Sequence, residues 1–319
     1  MTKHNSKVAN LWNTTVLILA VLVPFSLMAQ QPTGKILGTV TDPAGAVVPG
    51  ATVTVTNTAT RVSSQTQTDK DGNFQVLALP IGNYQVAAER EGFAKSLAEA
   101  RTLEINQSVR MDIKLKLGSR TETITVESRA SGVETVNPTL GQSITVNSLV
   151  GLPLNVRNPY DLALLLPGVT EANPNSGSTQ QSTVGNFSVA GGRPDSVTFL
   201  LDGGVNNNLL NNGVVFSPNP DTLGEFRVLT SNYTAEYGRN GAGVISAVTK
   251  SGTNTLHGSV FEFLRNDIFN ANSYFNNRNN IPKEILKRNQ FGFTVGGPVT
   301  IPHVVDGRDK LFFFASYAG

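Results

Sequence analysis

The 319-residue chain has no cysteine, only three histidines and one tryptophan, and a charged fraction of 15%. Without cysteine it forms no disulfide, so any exported domain must be held by sheet packing alone. With 25 basic residues against 23 acidic ones its basic surplus is only two, so no basic face points to a nucleic-acid partner. Long apolar runs are absent too. The longest, residues 16–23, falls short of the roughly 20 residues a bilayer helix needs, and Pro24 interrupts it. If the chain enters a membrane, it does so as strands. The 39% hydrophobic content excludes disorder for the whole chain. Its abundant Gly, Asn, Thr and Ser fit an all-β protein rich in turns.

Residues 1–29 have the three parts of a secretory signal: basic Lys3, His4 and Lys7, the apolar run, and Leu27-Met28-Ala29 before Gln30-Gln31. A membrane-anchoring helix is the alternative. Export is the expectation, and removing Lys3 and Lys7 takes the formal net charge from +2 to zero.

Residues 34–117 read as one compact β-domain. Ile36, Gly38 and Val40 alternate with Leu37, Thr39 and Thr41 up to a turn at Asp42-Pro43-Ala44-Gly45. Val53 and Val55 lie on one face of the next strand, with Thr52, Thr54 and Thr56 on the other. Asp69-Lys70-Asp71-Gly72 reads as a hairpin turn; a calcium loop is the alternative, but its twelve-residue ligand pattern is missing. Six or seven short strands predict a seven-stranded β-sandwich of Greek-key, transthyretin-like type. Gly38-Thr39-Val40-Thr41-Asp42, Pro49-Gly50-Ala51-Thr52-Val53, Thr68 through Phe74 and Leu79 through Tyr84 resemble, in order, the carboxypeptidase regulatory-like domain. In that family the sandwich is an accessory without catalytic residues. No histidine between His4 and His257 is available as a zinc ligand.

Residues 118–141 are too poor in apolar residues for a strand pair and are expected to be a flexible linker. Within them lie Glu122, Thr123, Ile124, Thr125 and Val126, a short run of high β-propensity. One reading makes it a last sandwich strand. The other notes that it resembles a TonB box, an extended segment that adds a strand to a periplasmic energy-coupling protein.

Residues 142–252 are expected to form an α+β plug. Pro159 begins a short helix ending at Pro167-Gly168, with Leu162, Leu165 and Leu166 as its buried stripe. A polar loop follows over residues 171–185. Residues 198–204 resemble the strand-plus-Asp-Gly signature of TonB-dependent receptor plugs, while Pro153, Arg157 and Leu165-Leu166-Pro167-Gly168 resemble its Oar-like branch. Arg193, Asp202, Gly203, Glu236, Tyr237, Gly238 and Arg239 form the candidate plug motif. Asp202 with Glu225 or Glu236 would be the acid–base pair of an enzyme. No histidine, nucleophile or phosphate cradle accompanies them, so no catalytic residue is assigned. Instead Arg193, Asp202, Glu225, Arg227, Glu236 and Arg239 are expected to pair with a polar barrel wall. Asn206, Asn207, Asn208, Asn211 and Asn212 read as an apex loop, either a ligand contact or a plain turn. No metal or cofactor is expected.

The stretch from Leu223 to Gly258, with strands at 225–229 and 244–250 around Tyr237-Gly238 and Gly241-Ala242-Gly243, is the threshold of the last region. Residues 253–319 carry aromatic-rich alternation at 259–265, 289–297 and 310–317, which an outer-membrane strand requires and an ordinary sandwich strand does not. Segments such as Phe263-Leu264-Arg265-Asn266, Gly296-Gly297-Pro298 and Phe312-Phe313-Phe314 are similar to Oar-like receptors. A lumen wide enough for a plug needs about 22 strands, so these residues are expected to supply only the first strands of a barrel.

The resemblance implies a TonB-dependent outer-membrane receptor with a periplasmic N-terminal sandwich. Its partners would be a TonB-type energy-coupling protein, outer-membrane lipid and a solute such as an oligosaccharide, peptide or chelate. An Oar-type surface adhesion protein and a periplasmic binding module are the rival readings.

Overall fold

A computed structural model of the chain describes residues 33–118, 123–126, 139–144, 146–152, 154, 157–171, 187–237 and 240–319. The secretory-signal reading, Glu122, Pro153, Gly238, Arg239 and nearly all of the 171–185 loop lie outside these residues.

The chain begins as two packed sheets. In the first, β1 (Thr33–Thr41) runs antiparallel to β4 (Asn73–Pro80) and parallel to β8 (Ser108–Arg110) and β9 (Ile113–Lys114). The second has the order β10 (Lys116–Leu117), β6 (Phe93–Ala98), β5 (Gly82–Glu89), β2 (Thr52–Asn57), β3 (Ser63–Gln67), with β7 (Arg101–Leu103) also on β5. Period-two alternation decides the faces: Ile36 and Val40 of β1 and Val53 and Val55 of β2 are buried, while their neighbours stay half-exposed. Phe74, Val86, Leu103, Met111, Ile113 and Leu115 complete the core. Residues 101–117 form four short strands, because β7 and β10 serve one sheet while β8 and β9 serve the other. At Asp69-Lys70-Asp71-Gly72 the Asp69 carboxylate accepts from the Asp71 and Asn73 amides, and Gly72 takes φ +72°. That carboxylate holds a hairpin turn.

The plug is a five-stranded sheet in the order β12 (Leu140–Ile144), β17 (Leu223–Ser231), β18 (Gly243–Thr249), β15 (Val197–Leu201), β16 (Gly204–Val205). A smaller pair, β13 (Val169–Glu171) with β14 (Phe187–Val189), and a helical turn, α1 (Val146–Gly151), lie beside it. Asp202 (φ +49°) and Gly203 (φ +81°) are the two-residue loop between β15 and β16. Positive φ at both positions is what a tight right-twisted hairpin demands, and Asp and Gly tolerate it best. The predicted helix is a 3₁₀ segment, Pro159–Leu165. With three residues per turn its buried ridge is Tyr160, Ala163 and Leu166. Leu162 is also buried, but Leu165 is 65% exposed, contrary to the stripe expected of it. Tyr160 meets Phe199 and Phe226 edge-on at 5.5 and 5.6 Å, anchoring the plug core.

Three long antiparallel strands follow: β19 (His257–Asn266), β20 (Lys287–Pro298) and, after the small hairpin β21 (Thr300–Ile301) and β22 (Val305–Asp306), β23 (Phe312–Ala318). Register puts Val260, Phe291, Phe293, Phe313 and Tyr317 on one face, all of them 38–88% exposed. The opposite face carries Ser259, Phe261, Gly292, Thr294 and Gly296. No helix among the described residues is long and apolar enough to cross a membrane, which leaves strands untouched as spanning elements.

Gly38 lies in β1 where a Cβ would strike the Met111 carbonyl oxygen, part of the backbone and unable to move aside. Gly38→Val is expected to destabilise the sandwich by about 2–3 kcal/mol, as overpacking does. A thermal melt of the chain followed by circular dichroism checks this; an unchanged midpoint would contradict the packing described.

Candidate functional site

The chemistry-bearing residues gather where the sandwich, plug and long strands meet. On β17, Glu225 and Arg227 are two residues apart and therefore share a face. That face meets the turn after β7. The Ile105 N–H donates to both Glu225 carboxylate oxygens at 3.0 Å, and the Arg227 guanidinium donates to the Ile105 carbonyl at 2.5 Å. The backbone N–H and C=O of one fully buried sandwich residue are thus gripped by a buried carboxylate and a buried guanidinium of the plug. Ser143, on β12, donates to Glu104 at 2.8 Å, and Glu104 lies 3.8 Å from Arg227.

Burial raises the Glu225 pKa to about 7, and the nearby Glu104 carboxylate adds to the rise. The Ile105 hydrogen bond, Arg227 and Ser143 pull it back down. A carboxyl raised from about 4.5 favours the docked state most below 4.5, and that contribution is lost as pH climbs through 7.

Arg157 joins the plug to the long strands. It adopts φ +55° and pairs with Asp221, which lies one turn before β17, and with Asn219 at 3.2 Å. Its guanidinium lies 3.8 Å from the Phe263 ring centroid and 4.9 Å from that of Phe261. Accordingly the phenylalanine face of β19 turns toward the plug, whereas Phe291 and Phe293 of β20 and Phe313 of β23 turn outward, and Phe312 and Phe314 share the inner face. Gly292 makes the room: a Cβ there would come within 2.5 Å of the Phe261 ring. The sandwich also reaches the start of the long strands, where Asn254 donates through its side chain to the Thr60 carbonyl at 2.7 Å and through its amide to that of Ala59 at 3.2 Å.

Among the described residues, the charges expected to face a barrel wall have these partners within the chain. Arg193 forks onto its neighbour Asp195 at the surface. Asp202 accepts from the Thr249 amide and hydroxyl, closing the end of β18. Glu225 and Arg227 hold the sandwich. Glu236 accepts from Thr234 at 2.6 Å, while Tyr237 is buried against Tyr233. Asp202, Glu225 and Glu236 are thus held in three separate networks, not as an acid–base pair. Arg157, whose role no charge pattern announced, packs on the first of the long strands.

In the apex loop, Asn206 and Asn207 are buried and their amides bond inward. Asn206 bonds the Tyr160 hydroxyl and both the amide and carbonyl of Phe216. Asn207 bonds the Phe199 amide and the Val197 and Asn212 carbonyls. Asn212 donates to Asp195 and Val197. These three brace the loop, which leaves Asn208 and Asn211 with Leu209 and Leu210, 88% and 94% exposed, at its tip. Among the described residues no three His, Asp or Glu side chains converge as a metal site.

Finally, β11 (Thr123–Val126), the centre of the expected linker, pairs in parallel with residues 95–98 of β6. The segment thus occupies the position of a last sandwich strand, and the linker reading was wrong for these four residues. Strand pairing needs only backbone groups, so a polar composition did not forbid it.

Comparison with known proteins agrees with this architecture. Residues 35–116 match the carboxypeptidase regulatory-like domain, 137–245 the TonB-dependent receptor plug domain, and 248–319 an outer membrane beta barrel domain. The chain is also 30% identical over 328 aligned positions to the TonB-dependent transporter Oar of Myxococcus xanthus. The match takes in 95% of this chain and 28% of that protein, so the chain spans about a quarter of its relative's length. The order of sandwich, plug and barrel strands defines a plug-bearing receptor chain of the outer membrane. Within that class it belongs to the Oar-like TonB-dependent receptors that carry an N-terminal carboxypeptidase regulatory-like domain. Among solved structures, the siderophore receptor PirA from Acinetobacter baumannii aligns at 20% identity and a TM-score of 0.37, over 53% of this chain and 24% of that one. Catechol 1,2-dioxygenase from Acinetobacter radioresistens aligns at 14% identity and a TM-score of 0.24, over 32% of this chain and 57% of that one. Likenesses that partial carry no functional argument.

Two linked outcomes test the Glu225–Arg227 grip. Arg227→Ala, which strands the Ile105 carbonyl and leaves the Glu225 charge uncompensated, is expected to weaken docking of sandwich on plug by about 3 kcal/mol. Raising pH from 5.5 to 8 should speed exchange of the Ile105 amide beyond its intrinsic pH dependence, and Glu225→Gln should erase that excess. Hydrogen-exchange mass spectrometry reads both.

Proposed function

We propose that this chain is the coupling end of an active-uptake receptor in the outer membrane, with residues 122–126 as the box gripped by a periplasmic energy-coupling protein. The outer membrane holds no energy source of its own, so uptake against a gradient requires a mechanical link across the periplasm. The observation that carries the reading is where β11 leads. The chain runs from it through 13 residues into β12, a five-residue strand at the outer edge of the plug sheet whose first three residues are exposed. Force on the box reaches β12 first, at Leu140, and β12 pairs with β17 along one side only among the described residues. Peeling it exposes Ser143, Glu225 and Arg227, so the same motion that loosens the plug loosens its hold on the sandwich.

The solute would be an oligosaccharide, peptide or chelate bound above the plug. The apex tip supports an amphipathic one, because exposed Leu209 and Leu210 lie beside Asn208 and Asn211. Arg157, packed on Phe261 and Phe263, would set how readily the plug parts from the wall.

In cells that depend on the receptor for a nutrient, Ile124→Pro is expected to abolish uptake while leaving the amount of protein in the outer-membrane fraction unchanged. Proline removes a backbone donor from the added strand. Undiminished uptake would rule out 122–126 as the box.

A further inference from the structure

Every strand has two edges, and those of β6 are both occupied. β5 takes one, through Ala87 opposite Leu97 and Ala88 opposite Ser96. The other is shared end to end: β10 covers Phe93 and Ala94, and β11 covers the next four residues. β10 runs antiparallel to β6 and β11 runs parallel, so the chain reverses between residues 117 and 123 and returns along the same edge. Were β11 absent, residues 95–98 would be an open edge on a sheet with no other strand to cover it among the described residues. Open edges recruit strands, and any extended segment within reach satisfies them.

We propose that this edge of β6 is a docking site in cis for the coupling segment, which keeps residues 123–126 on the sandwich until the energy-coupling partner strips them off. The proposal rests on the box reading above. Three observations support it. The register is specific, Thr123 opposite Lys95 through Val126 opposite Ala98, with no slip along its length. The connection from β10 is only five residues long, so the segment meets its edge at an effective concentration of roughly millimolar order. A partner present in trans at micromolar concentration therefore competes from behind. Lastly, the sandwich is a firm anchor: Ala94 and Ala98 of β6 are buried in its core, and its Ile105 peptide is clamped by Glu225 and Arg227. A partner that merely extended the sheet beyond β11 would pull on that core. To move β12 it must first separate β11 from β6. The regulatory domain thereby decides when the receptor can be energised.

The absence of cysteine from these 319 residues helps the test, since any introduced pair is the sole pair within them. Leu97→Cys with Thr125→Cys joins residues opposite each other in the register. In the receptor extracted from outer membranes, mild oxidation is expected to form this disulfide. Capture by the purified periplasmic domain of the energy-coupling protein should then fall at least tenfold and return on adding reductant. Because both samples are the same folded chain, a folding defect would show in both. Lys95→Cys with Thr123→Cys, two residues along the register, serves if the first pair disturbs the sandwich. Failure of both pairs to oxidise overturns docking on β6, and equal capture with and without the bond overturns the competition. If the unmodified receptor is not captured at all, the box reading falls, while disulfide formation still reports where the segment lies.

Discussion

A backbone edge must find partners, and in this chain that requirement decides where each piece goes. The sandwich closes β1 between β4 and β8 and fills the outer edge of β6 with two short segments. The plug sheet ends on one side with β12, a strand so short that few bonds hold it. The long strands form a ladder of ten paired positions between β19 and β20 and seven between β20 and β23. Long pairing makes a wall, whereas short pairing makes a part that can leave. Their lengths match those two tasks: a barrel strand needs about ten residues to cross, while a releasable strand must be held by only a few hydrogen bonds of about 1 kcal/mol each.

The Glu225–Arg227 grip adds a second kind of hold. A carboxylate and a guanidinium side by side on a strand would usually neutralise one another, but here both address the backbone of one residue of another domain. Each satisfies a backbone group that burial would otherwise leave stranded, and that backbone in turn satisfies the charges. Buried charge arranged this way contributes specificity more than net stability. It fixes which turn of the sandwich meets the plug and in which orientation. The raised pKa of Glu225 is the physical sign of that arrangement: the carboxylate has lost water faster than its partners compensate it.

Much of the fold was legible in the alternation of side chains. Ile36 and Val40, Val53 and Val55, and Phe291 and Phe293 each lie on the face their period implies, and Asp202-Gly203 is a turn for the conformational reason that makes the pair a signature. The partners of those elements were less legible. Glu225 and Arg227 read as charges awaiting opposite charges, because a backbone amide leaves no mark in a sequence. Asn206 and Asn207 read as a polar tip for the same reason, although their amides stitch the loop to the core. Phe261 and Phe263 share the pattern of the other aromatic strands, yet a cation on a preceding turn draws them inward. Leu165 failed because a 3₁₀ segment has a ridge of its own, one that an α-helical stripe does not predict.

The two readings of residues 122–126, sandwich strand and coupling segment, are compatible once the chemistry of strand addition is taken literally. Both require an extended segment of high β-propensity with few specific side chains, and both are satisfied by any free edge. A segment good at one is therefore good at the other. The competing edge in this chain lies five residues from the end of β10. A receptor with such a segment beside an open β6 edge would dock it there unless something prevented it. Among the described residues nothing does: β11 has a matched register on β6, and the β6 side chains that flank it, Lys95 and Leu97, leave the edge uncovered by any other strand. A regulatory-like sandwich that docks β11 thus has a physical reason to precede a plug. On the docking proposed for β11, it would offer the coupling segment a resting place set by four residue pairs, one a partner would displace and the segment would refill when the partner leaves.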